Sequence, residues 1–477
     1  MPFISTQRTK ILATIGPASS SYENLKALAI TGVDAFRLNF SHGTHKDHQE
    51  VIERITKINK ELGLHVGIIA DLQGPKLRIG TIKNNRLDLA PGDIITFVNK
   101  ECEGTMECIY MNYDQFPTDV EIGERVMIDD GKLVFEVVET NKLDTVKLKT
   151  LFGGVLSSKK GVNLPDTKLS LPSLTKKDLV DLEYVMTQPI NWLALSFVRS
   201  ARDVVELKKL VRSYGHSALI ISKVEKPEAV EDLEAIVEMS DAIMVARGDL
   251  GVEVPMERLP IIQKKIVSTC HRHAKPVIVA TQMLESMITN PSPTRAEITD
   301  VANAVLDGAD CLMLSGETSV GDHPVKVIEA MKKIIVEAEV IFDLSGKQPV
   351  PSRASRTFYP DVLCLNAAKT AVEIDAKAIV GMTSSGYTAF QISSYRYKIP
   401  VHIFSDKQDT LSMLSIVWGV QCHYYDKFTN TDETIIDVSE ILKQADVVKA
   451  KDIIVNVGSM PLYKRYRANM MRITLID

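Results

Sequence analysis

The stretch that decides the fold is Ile220–Gly251, IISKVEKPEAVEDLEAIVEMSDAIMVARGDLG. Two short apolar segments, one around Ile220 and one from Ala242, flank a segment with helical spacing. This pattern predicts a βαβ unit, whose parallel strands end at the same edge of a sheet. A pair of charged residues closes each strand: Lys223 and Glu225 in the first, Arg247 and Asp249 in the second.

Two carboxylates and two cations at one sheet edge suit a divalent metal and an anionic substrate. Because alternate residues of a strand point to the same face, the two members of each pair are expected to project together. The alternative is that both are surface ion pairs, which contribute little to stability. The rest of the chain is needed to choose between these interpretations.

Apolar strands alternate with helices over most of the chain, which favours a parallel sheet. The predicted strands are Lys10–Gly16, Ala35–Gly43, Val66–Gly74, Trp192–Ser200, Ala218–Glu225, Ala242–Asp249, Pro276–Gln282 and Cys311–Glu317. This number of strands predicts a (β/α)8 TIM barrel, whose active site lies at the carboxyl ends of the strands. Polar residues recur at these ends, namely Arg37, Asn39, Asp71, Ser196, Lys223, Glu225, Arg247, Asp249, Thr281, Ser315 and Glu317. This regularity favours a functional rim over surface ion pairs.

Two segments depart from this alternation. Residues 75–171 show short alternating segments with turn signals, which predict a small all-β domain inserted in the barrel. A polar, Pro/Ser-rich stretch near residues 343–360 predicts a linker, and the strands predicted beyond it are Ala378–Met382, Val401–Ser405, Gln421–Tyr425 and Asp452–Val457. We therefore expect a barrel of residues 1–74 and 172–344, an inserted β-barrel domain of residues 75–171 and a C-terminal α/β domain of residues 345–477.

The composition excludes several classes of protein. The 477 residues carry a formal net charge of -5, without the basic face or tail typical of nucleic-acid binders. No apolar run is long enough to span a bilayer, and the first residues lack the features of a signal peptide. The six cysteines contain no Cys-x-x-Cys pair, and we expect those in apolar runs to be reduced, small hydrophobes. We expect a cytoplasmic enzyme without nucleic-acid or membrane partners.

Six motifs resemble those of the pyruvate kinases, in that family's order and spacing. They are FRLNFSHG (Phe36–Gly43), GVNLP (Gly161–Pro165), ISKVEKPEAV (Ile221–Val230), MVARGDLGVEVP (Met244–Pro255), VATQMLESM (Val279–Met287) and LSGET (Leu314–Thr318). The family transfers the phosphoryl group of phosphoenolpyruvate to ADP in glycolysis, giving ATP and enolpyruvate, which is protonated to pyruvate. The resemblance implies that the inserted domain is a mobile cap over the nucleotide, that the C-terminal domain binds an effector, and that the chain forms a homotetramer.

The resemblance also implies a role for each rim residue. Glu225 and Asp249 would bind Mg²⁺ (or Mn²⁺), and Lys223 and Arg37 would hold the phosphoryl group. Thr281 would belong to the proton-delivery route, and the amide of Gly248 would receive the substrate carboxylate; the substrate would thus contact Arg37, Lys223, Gly248, Asp249 and Thr281. The implied nucleotide contacts are Asn39, His42, Arg78 and Lys160. The pocket that binds K⁺ in many members would be formed by Asn39, Ser41, Asp71 and the carbonyl of Leu72.

One residue departs from the commonest family pattern. Many members carry an acidic residue after the Gly-Pro of the third-strand motif, whereas this chain has Lys76, within DLQGPKLR. This resembles the subgroup that works without a monovalent cation. A tethered ammonium beside Asp71 can replace K⁺ as a fixed positive charge in the same pocket. We therefore expect activity without added K⁺.

The segment TSSGYT lies where a strand of the C-terminal domain is predicted to turn into a helix. Backbone amides and hydroxyls of Thr383, Ser384, Ser385, Gly386 and Thr388 could bind a phosphate there, although an ordinary helix cap is the alternative. With Ser394-Tyr395-Arg396, the segment is similar to the family's effector loop. It implies allosteric regulation by a phosphorylated metabolite, with AMP or a sugar monophosphate expected. The markedly basic end of the chain, residues 455–477, departs from the ending of many members.

Two other functions remain as alternatives. A metal-dependent aldolase or lyase acting on pyruvate enolate could share the rim arginine and carboxylates, but would not need Lys223, Lys160 or the inserted domain. A sugar-phosphate sensor built on an inactive barrel would not need to retain Lys223, Glu225 or Asp249.

Overall fold

The barrel begins with three strands and two helices. The structure, a computed structural model, describes residues 7–342, 349–427, 430–460 and 467–477. The first elements are β1 (Lys10–Thr14), α1 (Tyr22–Thr31), β2 (Ala35–Asn39), α2 (His45–Leu62) and β3 (Gly67–Asp71). Helix α2 begins where Thr44 and Asp47 cap each other's backbone amides, and it ends at Gly63, whose left-handed φ of 64° favours glycine. Strand β2 pairs with both β1 and β3, so the carboxyl ends of the three strands lie side by side.

The inserted domain has its own sheet and its own apolar core. Its elements are β4 (Leu87–Leu89), β5 (Ile94–Val98), β6 (Ile109–Tyr110), α3 (Phe116–Asp119), β7 (Arg125–Ile128), β8 (Leu133–Thr140), β9 (Thr145–Phe152), β10 (Gly154–Leu156) and β11 (Val162–Asn163). Six strands form one sheet in the order β11-β7-β8-β9-β5-β6, and β10 pairs with β4. Cys102 and Cys108, which the sequence analysis did not pair, form a disulfide in this domain.

The remaining strands close the barrel. The elements are α4 (Lys176–Val185), β12 (Trp192–Leu195), α5 (Ala201–Ser213), β13 (Leu219–Val224), α6 (Pro227–Glu231), α7 (Leu233–Met239), β14 (Ala242–Ala246), α8 (Arg247–Glu253), α9 (Leu259–Arg272), β15 (Val277–Ala280), α10 (Arg295–Asp307), β16 (Cys311–Leu314), α11 (Gly316–Ser319) and α12 (Pro324–Ile341). The closed order is β1-β16-β15-β14-β13-β12-β3-β2, and all pairs are parallel. The predicted (β/α)8 barrel is confirmed. Its strands are buried on both faces, which explains their continuous apolar sequences.

Several strands end earlier than predicted, and the difference matters most at β14. This strand ends at Ala246, because the ladders on its two sides end at Val245 and Ala246. Without further partners the chain turns at once into α8, which begins at Arg247. The prediction that Arg247 and Asp249 project together from a strand is therefore wrong.

The C-terminal domain is a five-stranded α/β unit in the described part of the chain. Its elements are α13 (Phe358–Glu373), β17 (Ala378–Met382), α14 (Tyr387–Ser394), β18 (Val401–Ser405), α15 (Gln408–Met413), β19 (Val420–Tyr424), α16 (Thr431–Gln444), β20 (Ile453–Gly458) and β21 (Met470–Leu475). The order is β19-β18-β17-β20-β21, with β21 antiparallel to β20. The α/β class is confirmed, and β21 was not predicted. Residues 343–348 of the predicted linker and 461–466 of the basic end lie outside the described residues.

This domain packs against the amino ends of the barrel strands. The indole N–H of Trp192, the first residue of β12, donates to the Met413 carbonyl at 2.9 Å. The ammonium of Lys10, the first residue of β1, donates to the Val420 carbonyl at 2.9 Å. The rim of polar residues is therefore at the opposite end of the barrel from the C-terminal domain.

Candidate active site

A buried network of four charged side chains forms the centre of the rim. Arg37 on β2 places its Nε 2.6 Å from Oδ2 of Asp71 on β3. Lys223 on β13 places its Nζ 3.0 Å from Oε1 of Glu225 and 3.4 Å from Oδ1 of Asp71. The side chains of Asp71 and Glu225 are 1% exposed and that of Lys223 is 12% exposed. The predicted pairing of Lys223 with Glu225 at one strand end is present in the structure.

The charges in this network determine each other's protonation. Burial alone would lower the pKa of Lys223, but the carboxylates of Asp71 and Glu225 outweigh it and raise the pKa. Burial opposes ionisation of Asp71 as well, yet Lys223 and Arg37 hold its pKa below the usual value. Burial raises the pKa of Glu225, Lys223 opposes the rise, and the negative charge of Asp249 adds to it. The site therefore holds two fixed cations, Arg37 and Lys223, beside a buried Glu225 whose pKa is raised despite the nearby ammonium of Lys223.

Ser196, a rim residue to which the sequence analysis gave no role, organises the centre of the network. Its Oγ accepts from Nζ of Lys223 at 2.8 Å and donates to the Leu72 carbonyl at 2.7 Å. The backbone N–H of Phe197, the next residue, donates to Oε2 of Glu225 at 2.6 Å. The start of the loop after β12 thus orients both Lys223 and Glu225. Only three-dimensional contacts reveal this, because a serine after a strand is a common residue.

The first turn of α8 lies beside Thr281. The Gly248 amide donates to Oγ1 of Thr281 at 2.8 Å, and that hydroxyl donates to the Ala280 carbonyl at 2.5 Å. A Cβ at Gly248 would lie 3.4 Å from Oγ1 of Thr281, an ordinary van der Waals contact, so this contact does not by itself require glycine. The structure therefore brings Gly248 and Thr281 together, but the Gly248 amide predicted to receive the substrate carboxylate donates to Thr281 instead. Arg247 was predicted to project with Asp249 as a cation for an anionic substrate, but its side chain donates to the Thr281 carbonyl.

Lys76 has a different partner from the one predicted. The sequence analysis placed its ammonium beside Asp71, but Nζ of Lys76 lies 3.4 Å from Oδ1 of Asp249. Asp71 is instead paired with Arg37, on the neighbouring strand β2, and with Lys223, on β13. The fixed charge of Lys76 thus acts on the predicted metal ligand, and this corrects the predicted arrangement.

The expected monovalent-cation pocket has oxygen atoms with partners inside the protein. Oδ1 of Asn39 accepts from the Ser41 amide at 3.1 Å. The Leu72 carbonyl accepts from Ser196, and both oxygens of Asp71 face cationic side chains. Independence of K⁺ therefore stays a prediction.

Glu225 and Asp249 are a donor set that fits Mg²⁺. Both supply hard carboxylate oxygens, and Asp249 raises the pKa of Glu225, as expected for anions that a divalent cation would stabilise. Within the described residues, no cluster of three or more His, Cys, Asp or Glu side chains could hold a metal alone. Mg²⁺ usually binds one or two carboxylates and takes its other ligands from water and substrate oxygens. The residues present therefore fit this ion.

The predicted nucleotide contacts fall into two groups. Arg78 and Lys160 lie together on the inserted domain, where Arg78 pairs with Gly161 in a β-bridge and Nη1 of Arg78 donates to the Lys159 carbonyl at 3.0 Å. Asn39, the last residue of β2, and the exposed His42, just after this strand, lie on the barrel. Among the described residues no hydrogen bond joins the two groups. The described contacts therefore do not bring the four predicted nucleotide residues into one cluster.

The TSSGYT segment forms a tight turn before α14. Oγ1 of Thr383 accepts from the Gly386 amide at 2.9 Å, and Gly386 has a left-handed φ of 81°. The Ser384 carbonyl accepts from Thr410, and Thr388 is buried. Arg396 does not reach this loop: its guanidinium lies 2.6 Å from Asp310 of the barrel. That part of the implied effector loop is therefore corrected, because Arg396 is used in the contact between the domains.

Comparisons with known proteins agree with this geometry. The family profiles "Pyruvate kinase, barrel domain" and "Pyruvate kinase, alpha/beta domain" match residues 6–328 and 361–474. The pyruvate kinase of Corynebacterium efficiens is 40% identical over 470 residues, which cover 98% of each chain. Pyruvate kinase 2 of Synechocystis sp. is 42% identical over 455 residues, which cover 94% of this chain and 76% of the relative.

The crystal structure of a pyruvate kinase from Cryptosporidium parvum has the same fold. It matches with a TM-score of 0.92 and 34% identity, over 99% of this chain and 97% of the other. The agreement extends over the barrel and the C-terminal domain and does not depend on a single motif. We conclude that this chain belongs to the pyruvate kinase family of phosphotransferases.

Proposed function

We propose that the chain transfers the phosphoryl group of phosphoenolpyruvate to ADP in glycolysis, in the cytoplasm, with Mg²⁺ or Mn²⁺ as its divalent cation. The observation that carries this proposal is the buried network of Lys223, Glu225, Asp71 and Arg37 beside Asp249. It combines two fixed cations for the phosphoryl group with two carboxylates for a metal.

In this mechanism, the cationic side chains stabilise the phosphoryl group as it moves. Lys223 and Arg37 are held by Asp71, so they need little rearrangement when charge spreads over the phosphoryl oxygens. A divalent cation bound by Glu225 and Asp249 would supply the positive charge that stabilises the enolate oxygen.

Protonation of the enolate is assigned to the segment after β15. The hydroxyl of Thr281 is fixed by the Gly248 amide and the Ala280 carbonyl, so it can orient a water molecule towards the methylene carbon. A water relay is needed because a threonine hydroxyl alone is a weak acid. The inserted domain would close over the nucleotide and exclude bulk water, which protects the phosphoryl donor from hydrolysis.

A coupled assay tests this proposal. Purified protein is mixed with phosphoenolpyruvate, ADP and Mg²⁺, and pyruvate is measured. We expect pyruvate from the unmodified chain, and a loss of about 10²-fold or more in kcat for Lys223→Met. The matched control is Lys57→Met, which removes a lysine that is 63% exposed on α2. If the unmodified chain forms no pyruvate, the proposal is excluded. If it instead cleaves a 2-keto acid substrate in an aldol reaction, that result favours the aldolase or lyase alternative. No observation on the described residues favours that alternative.

We further propose the remaining features that the resemblance implies. These are the division into residues 1–74 with 172–344, 75–171 and 345–477, the assembly of a homotetramer, and regulation through the turn at Thr383–Thr388. In the described residues, no helix is both long and apolar enough to span a membrane. A thermal-shift series with AMP, ribose 5-phosphate and fructose 1,6-bisphosphate tests regulation, since a ligand that binds the folded state raises Tm. We expect a monophosphate to raise it, and a Thr383→Val variant to abolish the rise.

A further inference from the structure

Two consecutive residues after β15 have an unusual backbone. Thr281 has a φ of 70° and Gln282 a φ of 55°, although neither is glycine. Left-handed backbone is rare for a β-branched residue such as threonine, and it is strained. Such a conformation persists only when the surrounding structure holds it. The structure must therefore contain groups that stabilise this turn.

The side chain of Arg247 is the group that holds it. Nη2 of Arg247 donates to the Thr281 carbonyl at 2.7 Å and to the Gln282 carbonyl at 3.1 Å, and Nε lies 3.3 Å from the Thr281 carbonyl. Nη2 also lies 2.8 Å from the sulfur of Met283. One guanidinium therefore contacts three consecutive residues of the turn.

The guanidinium is itself fixed from the other side. Nη1 of Arg247 lies 2.8 Å from Oδ1 of Asp300 on α10, and the Arg247 side chain is only 9% exposed. The residue that follows Arg247 is Gly248, whose amide holds the Thr281 hydroxyl. The first turn of α8 thus contacts Thr281 in two ways: the guanidinium of Arg247 donates to its backbone carbonyl, and the amide of Gly248 donates to its hydroxyl.

We propose that Arg247 is a positioning residue that keeps the Thr281 hydroxyl in place for protonation of the enolate. This inference rests on the proposed function and deepens it. Without the guanidinium, the turn is free to relax towards extended backbone, which would carry Oγ1 of Thr281 away from the Gly248 amide. Lysine cannot replace arginine here, because a single ammonium lacks the planar fork that reaches several acceptors and Asp300 together.

The test separates the proton step from phosphoryl transfer. The first measurement is kcat and KM for phosphoenolpyruvate in Arg247→Lys. The second is the loss of deuterium from the methyl group of pyruvate in the presence of Mg²⁺ and ATP, which reports removal of a methyl proton to form the enolate. We expect both kcat and the exchange rate to fall by about 10- to 100-fold, because misplacing a reacting group by an ångström has effects of this size. KM should stay within about threefold, since the substrate contacts are retained.

A double-mutant comparison excludes a merely structural role. If Arg247 acts through Thr281, Arg247→Lys should change kcat by less than about twofold in a Thr281→Ala background. The control is Arg272→Lys, which changes an exposed arginine that binds Glu234 on the barrel surface. Should Arg247→Lys fail to fold, Asp300→Asn loosens the same guanidinium, and the same fall in exchange is expected.

Three outcomes would overturn the inference. The first is an unchanged kcat in Arg247→Lys, and the second is a fall in kcat while the rate of deuterium loss from pyruvate stays unchanged. The third is a double variant whose loss of kcat is the product of the losses in Arg247→Lys and Thr281→Ala. All three leave pyruvate formation by the unmodified chain intact. Failure of the proposed function would instead appear as no pyruvate from the unmodified chain.

Discussion

Lys223 keeps its charge in a nearly buried position because two carboxylates lie within 3.4 Å of its ammonium. Asp71 serves both this lysine and Arg37, so one carboxylate orients the two cations that would hold the phosphoryl group. Because Asp71 contacts both cations, we expect activity to be sensitive to its substitution, even though Asp71 would not contact the transferred phosphoryl group. Its pKa is held below the usual value by its two partners, so it stays ionised at neutral pH.

Replacing Asp71 by asparagine is expected to lower kcat/KM for phosphoenolpyruvate by about 10²-fold. Asparagine has nearly the same shape as aspartate, but the substitution removes the carboxylate that orients Arg37. It also removes one of the two carboxylates that contact Lys223. Steady-state kinetics with varied phosphoenolpyruvate measure the effect. Asp432→Asn, which changes an exposed aspartate paired with Arg472, is the matched control. Equal kcat/KM in the Asp71→Asn variant and the control would show that the network does not orient the cations.

Lys76 leads to a prediction about monovalent cations. Its ammonium lies 3.4 Å from Asp249, in the position of a fixed charge beside the predicted metal site. We expect the unmodified chain to keep its kcat when tetramethylammonium replaces K⁺. Lys76→Glu should lose activity in that buffer and regain a large part of it with K⁺, because the added carboxylate creates a demand for positive charge. A strong K⁺ requirement in the unmodified chain would contradict this prediction.

At this scale the sequence predicted residue types better than contacts. Lys223 and Glu225 were predicted to meet because they are two positions apart at one strand end, and their distance of 3.0 Å agrees. Arg247 and Asp300 are 53 positions apart, so no local spacing could predict their ion pair. The predicted partner of Lys76 was wrong for a similar reason. Whether its ammonium meets Asp71 or Asp249 depends on the path of the loop that carries it.

At the scale of helices and strands, the apolar runs located all eight barrel strands because those strands are buried on both faces. The strand ends were less predictable. Polar residues after a strand look alike whether the chain stays extended or begins a helix, and α8 begins directly at Arg247. Strand β21 was not predicted, although its sequence MMRITL is mostly apolar; it pairs antiparallel with β20 at the edge of the sheet.

A buried bridge joins the inserted domain to α8. Asn163 on β11 donates to Oε1 of Glu253 at 2.8 Å, and Oε2 of Glu253 lies 2.9 Å from Nζ of Lys226. The side chains of Glu253 and Lys226 are 1% and 5% exposed. The position of the inserted domain over the rim therefore depends on a contact with the same helix that carries Gly248 and Asp249.

Breaking this bridge should have two separable effects. Glu253→Gln leaves the Lys226 cation buried without a carboxylate, which is expected to destabilise the fold by about 3 kcal/mol or more. Asn163→Ala leaves that ion pair intact and should mainly raise KM for ADP, because the inserted domain loses a contact that orients it. Urea unfolding measures the first effect and steady-state kinetics the second. An Asn163→Ala variant with unchanged KM for ADP would show that the bridge does not orient the domain.

At the scale of the whole molecule, the C-terminal domain and the active site lie at opposite ends of the barrel. The contact between the domains includes the buried ion pair of Arg396 with Asp310, in which Arg396 also lies over the ring of Trp418. Any effect of a ligand at Thr383–Thr388 on the rim must therefore pass through the barrel strands. The sequence predicted both domains, but not their contact, since its residues come from distant parts of the chain.

The buried histidines His402 and His423 of the C-terminal domain predict how the free energy of unfolding depends on pH. Burial lowers the pKa of His402 to about 3 and that of His423 to about 4, and Nδ1 of His402 lies 2.9 Å from Nε2 of His423. In the unfolded chain both would titrate near 6.5. Between pH 6.5 and pH 4 the unfolded chain therefore binds more protons than the folded one, and the free energy of unfolding decreases as pH falls. Above pH 6.5 this contribution is fully present.

The variant His402→Gln should remove one of these titrating groups. Its free energy of unfolding is expected to fall less steeply between pH 6.5 and pH 4, by a slope of about 1.4 kcal/mol per pH unit, the value for one proton. Urea unfolding of the C-terminal domain, followed by near-UV circular dichroism at several pH values, measures this difference. Above pH 8 the two proteins should respond to pH alike, because both histidines are then almost fully neutral in either state. Parallel pH profiles throughout the acid range would mean that His402 titrates in the folded protein as it does in the unfolded chain, and that burial within the C-terminal domain does not keep it neutral.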